Sequence, residues 1–243
     1  MREALHAEWT KLRTVAGTGW LLVAVIVLTG ALSAAAVAGC AAGCSDPART
    51  SLTGVDFGQA VVAILAVLAI SGEYSVGMMR VTLTAMPRRL TVLAAKATVV
   101  SGLVVLAGAV AVLVSIVAGR LLLPGLSLTD GAMLRAAGGS VLYLVLIGLL
   151  SLGVATAVRD SATAVGVVLG LLYLFPVLAT AIGDPLWHRH FQQIGPMTAG
   201  LAIQATVHLD ALPISPWAGI GVLAAWAVGA LLTGGLVLRL RDA

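Results

Sequence analysis

LAAKATVVSGLVVLAGAVAVLVSIVAGRLL, residues Leu93–Leu122, decides the fold. Between Lys96 and Arg120 it carries no charged side chain. A helix needs about 20 apolar residues to cross about 30 Å of hydrocarbon, and this run exceeds that. Its apolar residues are continuous rather than alternating, and it is far longer than the roughly 10 residues of a barrel strand. Working outward from it, five more runs of the same kind appear. They lie at about Trp20–Gly39, Phe57–Gly72, Ala132–Val158, Ala162–Ile182 and Pro216–Leu238. Local punctuation supports these limits. Ser215-Pro216, Thr129-Asp130 and Asp160-Ser161 are capping residues before apolar runs. Pro176 interrupts the fifth run and predicts a kink there. The expected fold is all-α: one polytopic membrane domain over residues 1–243 with six transmembrane helices.

Composition agrees. The chain is 60% apolar and 10% charged, against about 45–50% and about 25% for a soluble domain. So few charges cannot coat a soluble sphere, and the mean hydropathy of +1.09 points the same way. A soluble enzyme, a disordered chain and a disulfide scaffold are excluded as defaults. The net charge of +4 is read as topology, not as a nucleic-acid surface, because the basic residues cluster beside apolar runs. With the N-terminus in the cytoplasm, Arg2, Lys11, Arg13, Arg80, Arg88, Arg89, Lys96, Arg159, Arg239 and Arg241 lie inside. Arg49, Arg120, Arg135 and Arg189 lie outside, a ten-to-four bias that assigns both termini to the cytoplasm of a bacterial cell membrane. Lys96, Arg120 and Arg135 sit near span ends and are expected to snorkel to the headgroups.

Enzymatic chemistry has no foothold. There is no G-x-x-x-x-G-K-[ST] phosphate loop, no G-x-S-x-G elbow and no H-E-x-x-H helix. No cofactor and no catalytic residue are expected. His188-x-His190 with Asp184 is the one metal-like cluster, and an interfacial polar patch is the preferred reading. The span centres hold no Asp, Glu, Lys, Arg or His, which argues against a proton-driven transporter and an intramembrane hydrolase. A lumen here is apolar, which suits a hydrophobic or amphiphilic cargo. Val37-Ala38-Gly39-Cys40 imitates a lipoprotein cleavage site, but five further spans argue against cleavage. Cys40 and Cys44 are free to pair outside the cell. A four-residue spacing in continuing helix is poor disulfide geometry, so two small buried residues are preferred.

Three polar or broken segments carry the functional signal. In the loop 73–90, Tyr74, Met78, Val81 and Ala85 fall on one helical stripe, while Glu73, Arg80, Arg88 and Arg89 carry the polar side. Glu73 near the start and the arginines beyond the end suit the helix dipole, and Pro87 terminates the helix. A short amphipathic docking helix at the cytoplasmic face is one reading, and an interfacial loop with topogenic arginines is the other. The N-terminal stretch 1–16 is a second interfacial helix, with Leu5, Trp9 and Leu12 on one face and Glu8, Lys11 and Arg13 away from it. The outer stretch 183–213 is apolar but broken by Gly183, Pro185, Gly195-Pro196, Gly200 and Pro213. Two short half-helices dipping into the outer leaflet satisfy it, provided protein buries their ends.

Glu8-Trp9-Thr10-Lys11-Leu12-Arg13-Thr14 resembles the opening of many actinobacterial ABC-2 type permeases of ATP-binding-cassette transporters. Glu73-Tyr74-x-x-Gly77-x-x-Arg80 followed by Pro87-Arg88-Arg89 is similar to that family's loop after the second span. So are the Pro216-Trp217 entry to the sixth span and the terminal Arg241-Asp242-Ala243. The resemblance covers essentially the whole chain. It implies a permease subunit of an ATP-driven exporter, paired with a second permease chain, identical or related, and with two copies of a separate ATPase. It makes 1–16 the connecting helix, 73–90 the site of the coupling helix, and 183–213 the extracellular re-entrant segment. Glu73, Tyr74, Gly77 and Arg80 become loop-positioning and contact residues, with Met78, Pro87, Arg88 and Arg89 in the same ATPase-coupling interface. Trp9, Lys11 and Arg13 mark the interfacial helix. The apolar Met78-Met79 pair departs from the pattern and alters the expected fit to the ATPase. The rival expectation is a multi-pass assembly or sensory protein that recruits a soluble partner through the same loop without transport.

Overall fold

A computed structural model describes residues 2–14, 16–40, 43–75, 89–123, 130–181 and 185–240. The described residues are all helix and connection, and six helices are long and apolar enough to cross a membrane. The chain is thus built as a multi-pass membrane protein. The N-terminal helix, Arg2–Thr14, runs almost directly into the first span, Ala16–Gly39. A short helix, Pro47–Ser51, leads through a turn into the helix of the second span, Val55–Ser75. The third and fourth spans are Arg89–Leu122 and Gly131–Val158. With 34 residues the third is about 51 Å long, well beyond the hydrocarbon thickness, so it stands proud of the apolar layer. The sixth is Pro216–Leu240, entered at the proline as its sequence predicts.

The fifth span is made of three pieces, Ser161–Leu169, a wide π turn at Gly170–Leu174, and Phe175–Ala181. Asp160 caps its start, accepting from the Thr163 amide at 2.8 Å. The expected disturbance at Pro176 takes the form of that π turn, one turn upstream of the proline. A proline offers no N–H to the preceding turn, and wider hydrogen bonding there accommodates the loss.

The fourth span is the axis of the core. Tyr143, Leu144, Ile147, Leu150 and Leu152 are fully enclosed by the second, third and sixth spans. It meets the sixth span backbone to backbone. A Cβ on Gly153 would stand 2.5 Å from the Ala230 carbonyl carbon, so nothing larger than glycine fits without moving the helices apart.

Between the fifth and sixth spans lie two short helices, Pro185–Ile194 and Pro196–Gly200, then single helical turns at Leu201–Gln204 and Leu209–Ala211. The first helix exposes Leu186, Trp187 and Ile194, whereas Ala199 to Ala205 are buried in the bundle. The stretch thus holds two short helices of ten and five residues. Protein does bury its second half: Ile203 packs against Gly139, and Gln204 Nε2 donates to Ser140 Oγ at 3.1 Å.

Two sequence expectations need correction. Cys40 and Cys44 are bonded, with Cα atoms 5.6 Å apart. The helix ends at Gly39, so the spacing is not that of a continuing helix. Arg135 does not snorkel; its Nη2 donates to the Ala205 carbonyl at 2.6 Å.

Candidate functional site: the stems of the 76–88 loop

The loop expected to dock a partner splits between described and undescribed residues. Gly77, Met78, Arg80, Pro87 and Arg88 lie outside the described residues, as does the side chain of Glu73. Tyr74 and Arg89 are described, and they stand where the loop leaves the second span and enters the third. Around them the bundle is held by an unusual density of charged contacts.

Lys96 is two turns into the third span, in an otherwise apolar stretch. An ammonium there needs a counter-charge, because burial of a lone charge is costly. The N-terminal helix supplies it. Lys96 Nζ lies 2.6 Å from Glu8 Oε2, and both side chains are only 2% exposed. The same ammonium donates to the Ala69 carbonyl of the second span at 3.2 Å. Lys11 Nζ adds a more exposed contact to Glu8 Oε1 at 3.1 Å. One lysine thus ties the N-terminal helix, the stem that enters the loop and the stem that leaves it.

This corrects two expectations. Lys96 is not a snorkelling residue; it points into protein. Glu8 is not on the outer face of the N-terminal helix but inward, and Trp9 is 44% exposed. The ion pair sets the rotation of the helix, and Trp9 is left where a membrane-interface aromatic belongs. The side chains of Leu12 and Arg13 lie outside the described residues.

A second set of contacts closes the end of the sixth span. Arg89 Nη1 donates to the Leu238 carbonyl at 2.8 Å, and Arg159 Nη2 donates to the Val237 carbonyl at 3.2 Å. The last carbonyls of a helix have no partner within it, and its C-terminus carries partial negative charge, so two guanidinium groups are well placed there. Arg159 follows the fourth span in the left-handed region, φ 66°. That turn brings its guanidinium 5.6 Å from the centre of the Tyr74 ring. Tyr74 and Arg89, predicted as partner contacts, are both engaged within the bundle.

Sequence reasoning missed the Glu8–Lys96 pair and the contacts of Arg159 with Val237 and Tyr74. The signal was present: a lysine two turns inside a span demands an acid, and Glu8 lies on the same side of the membrane.

The His188-x-His190 pair does not converge. His188 contacts Gln192 at 2.8 Å, whereas His190 lies edge-on to Trp187; Asp184 is outside the described residues. No protein-family model and no curated protein matches the chain.

Proposed function

We propose that this chain is the membrane-spanning permease subunit of an ATP-driven exporter of the ABC-2 kind. Energy comes from a separate ATPase bound at the 76–88 loop in two copies, one for each of two paired permease chains. The cargo is hydrophobic or amphiphilic and moves outward. The observation that carries this reading is the bracing of both loop stems by Lys96, Arg89 and Tyr74. A push on a loop with loose stems is absorbed locally; a push on braced stems moves the N-terminal helix and the second, third and sixth spans together.

Two features support the rest of the reading. The fifth span is only 17% buried within its own chain and exposes Val167, Leu174, Val177 and Leu178, a flank suited to lipid and to a second permease chain. An apolar recess of about 620 Å³, walled by Leu150, Val154, Leu171, Trp226 and Ala230, lies between the fourth, fifth and sixth spans and suits an acyl or other apolar tail.

The test is whether a stand-alone ATPase is encoded beside this reading frame and co-purifies with the chain; finding none favours the recruitment protein. Joint replacement of Arg80 and Arg88 by Glu is expected to abolish capture, while Arg89→Gln acts on stability first. Undiminished capture by the double variant rejects the docking assignment. Labelling of a cysteine placed in the loop by an impermeant reagent in intact cells rejects the cytoplasmic orientation.

A further inference from the structure

Asp56 is the one acidic side chain between Pro47 and Gly72 and in the other five candidate spans. It sits in the first turn of the Val55–Ser75 helix, where three polar side chains from three spans gather. Tyr143 donates its hydroxyl to Gln59 Oε1. Gln59 Nε2 donates to the Asp56 main-chain carbonyl at 2.8 Å, and the Tyr173 hydroxyl donates to the same carbonyl at 2.6 Å. Every one of these donors is committed to an acceptor other than the carboxylate. Asp56 Oδ1 is shut away from solvent with no hydrogen-bond partner among the described residues.

A carboxylate oxygen in this position calls for a donor, and none of the described residues provides one. Arg49, on the preceding short helix, is exposed; its charge acts on Asp56 from a distance, without an ion pair or a hydrogen bond to it. Asp56 as a whole residue is only partly buried although its Oδ1 is covered, so a ligand displaces little protein to reach the carboxylate. The approach is apolar: Phe57 beside it is 49% exposed, and Leu174, Val177 and Leu178 stand exposed next to Tyr173 on the fifth span. The missing partner is therefore a group that brings an N–H donor and positive charge on an apolar body. Ionisable residues at membrane depth are kept where they meet a ligand or a pathway.

We propose that Asp56 is a binding site for the ammonium group of a cationic amphiphile, held between the second and fifth spans with its apolar part along Phe57 and the fifth-span flank. Gln59, Tyr143 and Tyr173 are positioning residues that hold the Asp56 backbone and leave the carboxylate open. This deepens the exporter reading by naming a cargo class, and it rests on that reading only for the word cargo.

The test is binding of radiolabelled dodecylammonium to the purified chain in phosphatidylcholine nanodiscs, with empty nanodiscs subtracted. Asp56→Asn preserves shape and removes charge; it is expected to weaken binding by roughly tenfold or more, the worth of one charge-assisted hydrogen bond. Binding of dodecanol is expected to be unchanged, and Asp56→Glu is expected to retain most of the dodecylammonium affinity. Unchanged dodecylammonium affinity in Asp56→Asn overturns the site and marks Asp56 as an acid that keeps its own proton. If Asp56→Asn does not fold, competition on the unmodified chain decides: equal displacement by dodecanol and dodecylammonium overturns the proposal. No ATPase is present in this experiment. Its failure therefore leaves the coupling assignment standing, and failure of ATPase capture leaves the ammonium site standing.

Discussion

The two ends of the bundle are fastened in different ways. At the end that carries the N-terminal helix, cations meet charges and helix termini: Lys96 with Glu8, Arg89 with Leu238, Arg159 with Val237 and Tyr74. At the other end one carboxylate collects neutral donors. Asp46 accepts from the Arg49 amide at 3.0 Å, the Thr206 amide at 2.8 Å, the Thr206 hydroxyl at 2.6 Å and the Val207 amide at 3.3 Å. It thereby pins the start of the second span to the segment before the sixth. Removing one member of a buried ion pair strands a charge, whereas removing Asp46 strands only N–H and O–H groups. The first fastening is the more easily broken by a single change and the more easily repaired by a second.

The largest effect follows from that asymmetry. Lys96→Met leaves Glu8 buried with only the exposed Lys11 beside it, and Glu8→Gln leaves Lys96 charged among apolar neighbours. Each is expected to cost about 3–5 kcal/mol in denaturant unfolding of the purified chain. The double variant Glu8→Gln with Lys96→Met is expected to recover most of the loss, because a neutral pair needs no compensation. If the double variant is as unstable as either single one, the pair does not hold the N-terminal helix.

At the opposite end, Asp46→Ala is expected to cost about 2–3 kcal/mol, the range for hydrogen bonds to a charged group. Burial pushes the Asp46 carboxyl up, but the bonds from Thr206, Arg49 and Val207 outweigh it and hold it below the usual carboxylate range. The sign follows from linkage. A carboxylate whose folded pKa is depressed contributes stability that is fully present above its unfolded value, about 3.9, and is lost as pH falls through the folded value. The stability gap between the parent chain and Asp46→Asn is therefore expected to be flat near neutrality and to shrink below about pH 4. A gap that stays constant into acid shows that the four contacts do not favour the ionised form.

How far the sequence could be read depends on how local the determining physics is. Six spans follow from length and hydropathy, and the observed helices agree with the expected runs except at their ends. The third begins at Arg89 rather than Leu93, because Arg89 and Lys96 find partners in the fold, and the second takes in Asp56. The Asp160 cap was legible because it needs only the amide three residues on. The Glu8–Lys96 pair was not placed, since a periodicity argument puts charges outward and does not weigh a counter-ion 88 positions away. Arg159 was counted for topology alone, and Arg89 was read as a partner contact. Their acceptors are carbonyls, and a carbonyl leaves no trace in a residue pattern. The Cys40–Cys44 bond was missed for a local reason, a helix that stops one residue before the first cysteine.

Between these extremes lie the helix-end contacts. Arg89→Gln removes a guanidinium from the C-terminus of the sixth span and is expected to cost about 1 kcal/mol, less at high salt, since the dipole term is screened. A loss of several kcal/mol would give Arg89 a bracing role equal to that of Lys96 and blur the ranking within this end.

The smallest effect concerns Tyr74, and it separates charge from packing on the same stem. The ring is partly buried against the core and also faces the Arg159 guanidinium. Tyr74→Phe keeps both relations and is expected to be near neutral in that contact. Tyr74→Leu keeps apolar packing but removes the ring, and is expected to lose about 0.5–1 kcal/mol. In an Arg159→Gln background that loss is expected to vanish, which a double-mutant cycle reads directly. If Tyr74→Leu costs as much without the arginine as with it, the ring serves as ordinary packing. The stem that enters the loop would then be braced by Lys96 alone, while Arg89 and Arg159 still hold the end of the sixth span.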